Sequence, residues 1–225
     1  MIPYLWIKII IPEPTDREMA LKTFVKISNV NNLSDARYCA GMYVNLMGFN
    51  LEDHNPNYMS PEKFGEITEW LSGLEYVGEF EASHPDTILE TVRNYDVQYI
   101  QIQELAHLQM LVNTGYNIIL KQQIRDEKDI EYLSALAPSL NENDVVLLLE
   151  SDSVELQPKY IPLIKELAQK TVVLLGFGIH PDTIEEVLEQ TQVRGIALNG
   201  GDEIKPGFKD FDGLADVLEA LELEE

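Results

Sequence analysis

Three groups of residues in this chain stand where chemistry is feasible. Ser28 ends the strand-length run TFVKI at 23–27, and Asn31-Asn-Leu-Ser-Asp35 after it opens a helical pattern. A hydroxyl at such a junction is a nucleophile, a bystander, or the remnant of a stronger acid-base group. Glu150 closes the run Val145-Val-Leu-Leu-Leu149 and supplies a carboxylate for proton transfer, with Asp152 two residues on. Gly176-Phe-Gly178 and Asn199-Gly-Gly201 follow two further apolar runs, and glycine-bearing turns let backbone amides approach a phosphate closely. A serine nucleophile needs a base and an oxyanion hole. No histidine adjoins Ser28, and no G-x-S-x-G elbow surrounds it.

The elements that must position these residues repeat along the chain. Strand-length apolar runs lie at 23–28, 43–49, 74–80, 97–102, 116–121, 144–150, 171–177 and 193–198. Several are nearly continuous in apolar residues, as a parallel sheet covered on both faces requires. Helical periodicity places helices at 32–41, 60–72, 85–95, 104–114, 126–137, 160–169, 181–190 and 211–223. Ser60-Pro61, His84-Pro85-Asp86 and His180-Pro181-Asp182 supply start signals, with proline preset at the first helical position. HPDTILE and HPDTIEE open the third and seventh helices, which records either half-barrel duplication or one capping solution reached twice.

Eight β/α units in this length predict an α/β fold, a single (β/α)8 TIM barrel. An open doubly wound sheet is the alternative, but no glycine-rich dinucleotide fingerprint follows the first strand. Residues 1–22 are assigned to a short N-terminal extension and 23–225 to the barrel domain, with Met1 or Met19 as the start. In a barrel the site forms at the carboxyl ends of the strands. The candidates are then Ser28, Asn57, Gln103, Glu150, Gly176–Gly178 and Asn199–Gly201.

Of the 225 residues, 16 are basic and 39 acidic, a formal charge of -23. Such a surface repels phosphate backbones and anionic lipids, so no nucleic-acid or membrane partner is expected. A small anion can still bind where local amides and a lysine, Lys26 or Lys159, outweigh the global field. The single cysteine, Cys39, excludes an internal disulfide and fits a cytoplasmic setting as a buried apolar residue. MIPYLWIKIIIPEP is too short to span a bilayer and lacks a basic leader. The four histidines show no ligand spacing, so neither a metal nor another cofactor is expected.

VKISNVNNLSDA resembles the opening of phosphoribosylanthranilate isomerases, whose first strand reads Val-Lys-Ile-Cys-Gly and continues into Thr-Asn-Leu-Glu-Asp-Ala. The similarity continues through Asn55-Pro-Asn-Tyr-Met-Ser-Pro61, through LGFGIHPDTI, and through GGDEIKPGFKD at 200–210. It covers nearly everything from residue 23 onward. The resemblance implies a barrel that binds a small phosphorylated sugar. The family reaction is the Amadori rearrangement of an N-phosphoribosyl anthranilate in tryptophan synthesis.

It also implies roles, position by position. The family's cysteine base, at the end of its first strand, falls on Ser28, and its aspartate acid on Glu150. The arginine that holds the anthranilate carboxylate falls on Asn57, and a histidine after the fourth strand on Gln103. The phosphate end falls on Gly178, Asn199, Gly200 and Gly201, where glycines and hydroxyl residues are partly replaced. Glu203, Pro206, Gly207, Lys209 and Asp210 match the family and are read as shaping the last loop. Losing a positioned base costs about 10²- to 10⁴-fold in rate. The leading expectation is therefore a family barrel with a degenerate active site and Ser28 at a vacated base position. Two alternatives stay open: an altered sugar-phosphate isomerase using Glu150, and a non-catalytic barrel. The latter binds partners, or oligomerises, through its N-terminal extension.

Overall fold

The computed structural model describes residues 21–200, 202–205, 208–210 and 212–223. Eight parallel strands close into a barrel in sequence order. They are β1 (Phe24–Ser28), β2 (Leu46–Asn50), β3 (Glu75–Glu79), β4 (Tyr99–Ile102), β5 (Asn117–Gln123), β6 (Val146–Glu150), β7 (Val173–Leu175) and β8 (Gly195–Asn199). Closure is direct: Phe24 through Ser28 pair in register with Gly195 through Asn199. The expected (β/α)8 fold is therefore the observed one.

Side chains alternate across a strand, so each strand feeds two apolar layers. Leu46, Val77, Tyr99, Ile119, Leu148 and Leu174 fill the barrel interior. Val25, Ile27, Phe49, Ile100, Leu147 and Leu149 point outward into the larger layer beneath the helices. Burial on both sides explains why these strands read as unbroken apolar runs. On the outer layer, Phe64 packs edge-on against Phe49 at 5.1 Å and against Tyr95 at 5.3 Å. Cys39 is buried in the same layer, as expected of a small apolar residue.

The helices follow their start signals unevenly. They are α1 (Leu33–Gly41), α2 (Pro61–Thr68), α3 (Pro85–Thr91), α4 (Leu108–Leu111), α5 (Glu127–Glu142), α6 (Ile161–Ala168) and α7 (Ile184–Thr191). Ser60 caps α2 by accepting from the Lys63 amide at 3.3 Å, and His84 caps α3 through Nδ1. The twin heptads then diverge. Pro181 does not open α7; His180 to Thr183 form a turn closed by the Thr183 amide, and the helix starts three residues later.

Two more boundaries depart from expectation. The fourth helical stretch is only a 3-10 turn at Leu105–His107 followed by α4, because Val112 is extended and Asn113 and Gly115 take positive φ. Conversely, α5 runs through Pro138 to Glu142, since Ala137 and Leu140 on either side are buried in the core. That burial offsets a proline penalty of about 3 kcal/mol.

After β8 the chain forms an antiparallel pair, β9 (Asp202–Lys205) with β10 (Phe208–Asp210), before α8 (Asp212–Ala220). The turn at Asn199-Gly200 therefore leads into a hairpin rather than directly to a helix amino end. At the opposite face the Lys22 amide donates to Leu221 O, and Leu21 bridges Glu222. Residues 1–20 of the expected extension lie outside the described residues, as does Gly201. Among the described residues no helix is long and apolar enough to cross a membrane.

Candidate active site

The carboxyl ends of parallel strands converge on one rim, and alternation decides which residues face inward there. Lys26 and Ser28 continue the inward face of β1 from Phe24; Gly48 and Asn50 continue that of β2 from Leu46. By the same rule Glu79, Gln101, Lys121, Glu150 and Asn199 turn into the mouth, in step with Val77, Tyr99, Ile119, Leu148 and Ala197. Ser28 and Glu150 thus share the mouth.

Ser28 is 3% exposed, and its Oγ accepts a hydrogen bond from Lys26 Nζ at 2.6 Å. Lys26 is in turn ion-paired with Glu79 at 2.5 Å, with side-chain exposures of 0% and 5%. The other Glu79 oxygen accepts from the Asn29 amide at 3.0 Å, where Asn29 takes a φ of 56°. Such a dry pair needs room between β1 and β3, and β2 provides it at Gly48. A Cβ there falls 2.1 Å from Glu79 Oε1. Lys26 Nζ is thus held between the Glu79 carboxylate and the Ser28 hydroxyl.

A second pair lies across the mouth. Lys121 Nζ approaches Glu150 Oε2 at 2.7 Å, with side chains 16% and 12% exposed. Burial works against the Lys121 charge, but the carboxylates of Glu150, Glu79 and Glu81 outweigh it and hold the ammonium above its ordinary range. Lys121 is therefore a fixed cation, not a base. Between the two pairs stands Gln101 on β4, 4% exposed, whose Oε1 has no hydrogen-bond partner among the described residues.

The loops around the mouth are tied by polar side chains. Asn57 Oδ1 accepts from Asn31 Nδ2 at 3.2 Å, linking the loops after β1 and β2. Gln122 Nε2 donates to Gln103 O at 2.7 Å, and Asn29 Nδ2 to Asn199 Oδ1 at 3.4 Å. The Gly200 amide donates to Ser28 O at 2.8 Å. Gly178 has a φ of 67°, and a Cβ there falls 2.2 Å from Leu156 Cβ, so the loop after β6 rests directly on it. Lys159, expected near this end, instead pairs with Glu127 at 2.7 Å on the outside.

Glu52 completes the rim. Its buried carboxylate accepts from the amides of Glu81, Ala82 and Ser83 and from the Ser83 hydroxyl. Burial pushes its pKa up, but the Ser83 hydroxyl and these amides together bring it below the ordinary glutamate range. Among the described residues no group of three or more histidine, cysteine, aspartate and glutamate side chains is placed to hold a metal ion. His107 lies edge-on to His84 at 5.8 Å, and His54 Nε2 is 3.9 Å from Glu52 Oε2.

Sequence reasoning missed Glu79, Gly48, Lys121 and Gln101. The available signal was a charged residue inside an otherwise apolar buried strand, as in EYVGE and NIILKQQ. Such a residue must find an opposite charge in the mouth or remain uncompensated.

With this geometry in place, the comparisons with known proteins are specific. The model of the N-(5'phosphoribosyl)anthranilate (PRA) isomerase family matches residues 25–220. A Synechococcus N-(5'-phosphoribosyl)anthranilate isomerase is 26% identical, over 89% of this chain and 91% of its own. The Thermosynechococcus vestitus protein of the same name is 28% identical, over 88% and 89%. Among solved structures, phosphoribosyl anthranilate isomerase from Thermus thermophilus superposes with a TM-score of 0.70 at 25% identity, covering 88% of this chain and 98% of that one. The Thermotoga maritima enzyme gives 0.71 at 22% with the same coverage. This chain belongs to the PRA isomerase family.

Proposed function

We propose that this barrel keeps a ligand-receiving mouth but does not carry the family's aldose–ketose rearrangement at an isomerase's rate. One observation carries the reading. At the position of the family's base stands an alcohol whose oxygen accepts from Lys26 at 2.6 Å, and Lys26 is itself neutralised by Glu79. Abstracting a proton from carbon requires an ionisable group near neutrality. A thiol titrates at about 8.5, whereas an alcohol ionises far more reluctantly.

The other proposed site residues support the same reading. Glu150, at the acid position, accepts from Lys121 at 2.7 Å and so meets the mouth as half of an ion pair. Asn57 offers one amide, already bonded to Asn31, where two-pronged contact to a carboxylate needs a guanidinium. Gln103 stands at the histidine position. Gly178, Asn199, Gly200 and Gly201 remain the proposed phosphate-facing positions. With the Gly200 amide bonded to Ser28 O, phosphate affinity there is expected to be weak.

The test is turnover of N-(5'-phosphoribosyl)anthranilate beside the Thermus thermophilus relative. The expected rate is lower by about 10²- to 10⁴-fold, the cost of losing a positioned base. Turnover equal to the relative's, and abolished in Glu150→Gln, refutes the proposal.

A further inference from the structure

The mouth contains an anion of its own. Glu79 places one carboxylate oxygen on Lys26 Nζ and the other on the Asn29 amide, with Lys26 and Glu79 both buried and Asn29 half-buried at the rim. An ammonium and a backbone amide aimed at one spot are what a protein uses to hold a carboxylate or phosphate from solution. Here both donors are already occupied by a side chain from β3. Gly48 is the backbone adjustment that makes this possible, since any Cβ on it meets Glu79 Oε1. Gln101 Oε1, buried here and without a partner among the described residues, is an acceptor and complements a donor group rather than an anion.

We propose that Glu79 is a specificity-determining residue: a resident carboxylate that fills the anion position formed by Lys26 and the Asn29 amide, and so excludes carboxylate-bearing ligands from the β1–β3 side of the mouth. The group admitted beside Gln101 is then an uncharged hydrogen-bond donor such as a hydroxyl. Among the described residues, the two lysines of the mouth, Lys26 and Lys121, are each paired with a glutamate, which leaves neither as a free cation for an entering anion. The inference rests on the reading of this mouth as a ligand site without isomerase chemistry. It fails separately, because it is tested by binding and not by turnover.

The experiment measures benzoate binding to the full chain by thermal shift and calorimetry, for wild type, Glu79→Gln, Glu79→Ala and the double variant Lys26→Met/Glu79→Gln. Removing the resident anion leaves Lys26 and the Asn29 amide open. Both single variants are expected to melt lower than wild type and to recover on saturable benzoate binding. Wild type and the double variant are expected to show no saturable shift. Saturable wild-type binding of benzoate that the double variant lacks overturns the proposal. So does a folded Glu79→Gln or Glu79→Ala protein, by circular dichroism, that gains no affinity. If neither single variant folds, wild type and the double variant decide: saturable benzoate binding by either overturns the proposal, and no binding by both upholds it.

Discussion

Two lysine–glutamate pairs face each other across one barrel mouth, and they differ in what surrounds them. Lys26 and Glu79 are sealed, and every polar atom of the pair that meets the mouth is spoken for by Ser28, Asn29 or the partner. Lys121 and Glu150 keep 16% and 12% of their side chains exposed. A sealed pair adds little net stability, because desolvation offsets the attraction, yet removing one member leaves a buried charge uncompensated. A partly wet pair is screened and can exchange its partner for water or a ligand. The difference separates roles within the mouth. The β1–β3 side is scaffold with an internal ligand of its own, and the β5–β6 side remains addressable.

The largest expected effect breaks the sealed pair. Glu79→Ala should lower unfolding stability by about 3–5 kcal/mol in denaturant titration. Replacing both members, as Lys26→Met/Glu79→Leu, should recover most of that loss. Equal losses in the single and the double variant would mean that packing, not charge, governs this side. Next comes the glycine that makes room: Gly48→Ala should cost about 1–3 kcal/mol. In a Glu79→Ala background the cost should nearly vanish, a coupling measurable by a double-mutant cycle.

A third carboxylate sharpens the comparison, because Glu52 is buried like Glu79 but held by amides and a hydroxyl instead of a cation. Its folded pKa is depressed. Its contribution is therefore complete above the unfolded glutamate value of about 4.3 and is lost as pH falls through the lower folded value. Stability measured against pH should fall in acid less steeply in Glu52→Gln than in wild type. An identical slope refutes the assignment. The smallest effect belongs to the wet pair: Lys121→Met should cost about 1 kcal/mol or less. A loss as large as that of Glu79→Ala would erase the distinction between the two sides.

How far the sequence reached depends on the range of the interactions concerned. The eight strand runs were legible because burial on both faces leaves nearly every strand position apolar, as in Val146–Leu149. Ser60-Pro61 was legible because capping is settled within four residues. HPDTIEE was not, although it nearly repeats HPDTILE, because the placement of α7 against the barrel outweighed the local signal at Pro181. The fifth helix runs past its expected end at residue 137 for the same reason, with Ala137 and Leu140 held in the core. Asn57 and Gln103 could be placed at the rim from their strand ends, but not the Asn31 bond and the Gln122 bond that hold them there.

The chain by itself determined the barrel, the ring of candidate positions and the presence of Ser28 where a family base is expected. These follow from periodicity and strand order, which are properties of neighbours in sequence. Only the closed structure decided what Ser28 touches. Lys26 admits both a rim role and an interior ion pair when read in sequence, and Glu79 lies 53 residues away, so their pairing exists only once β1 and β3 flank β2. Electrostatic character depends on distance through space and on exclusion of water, and neither quantity is carried by residue order.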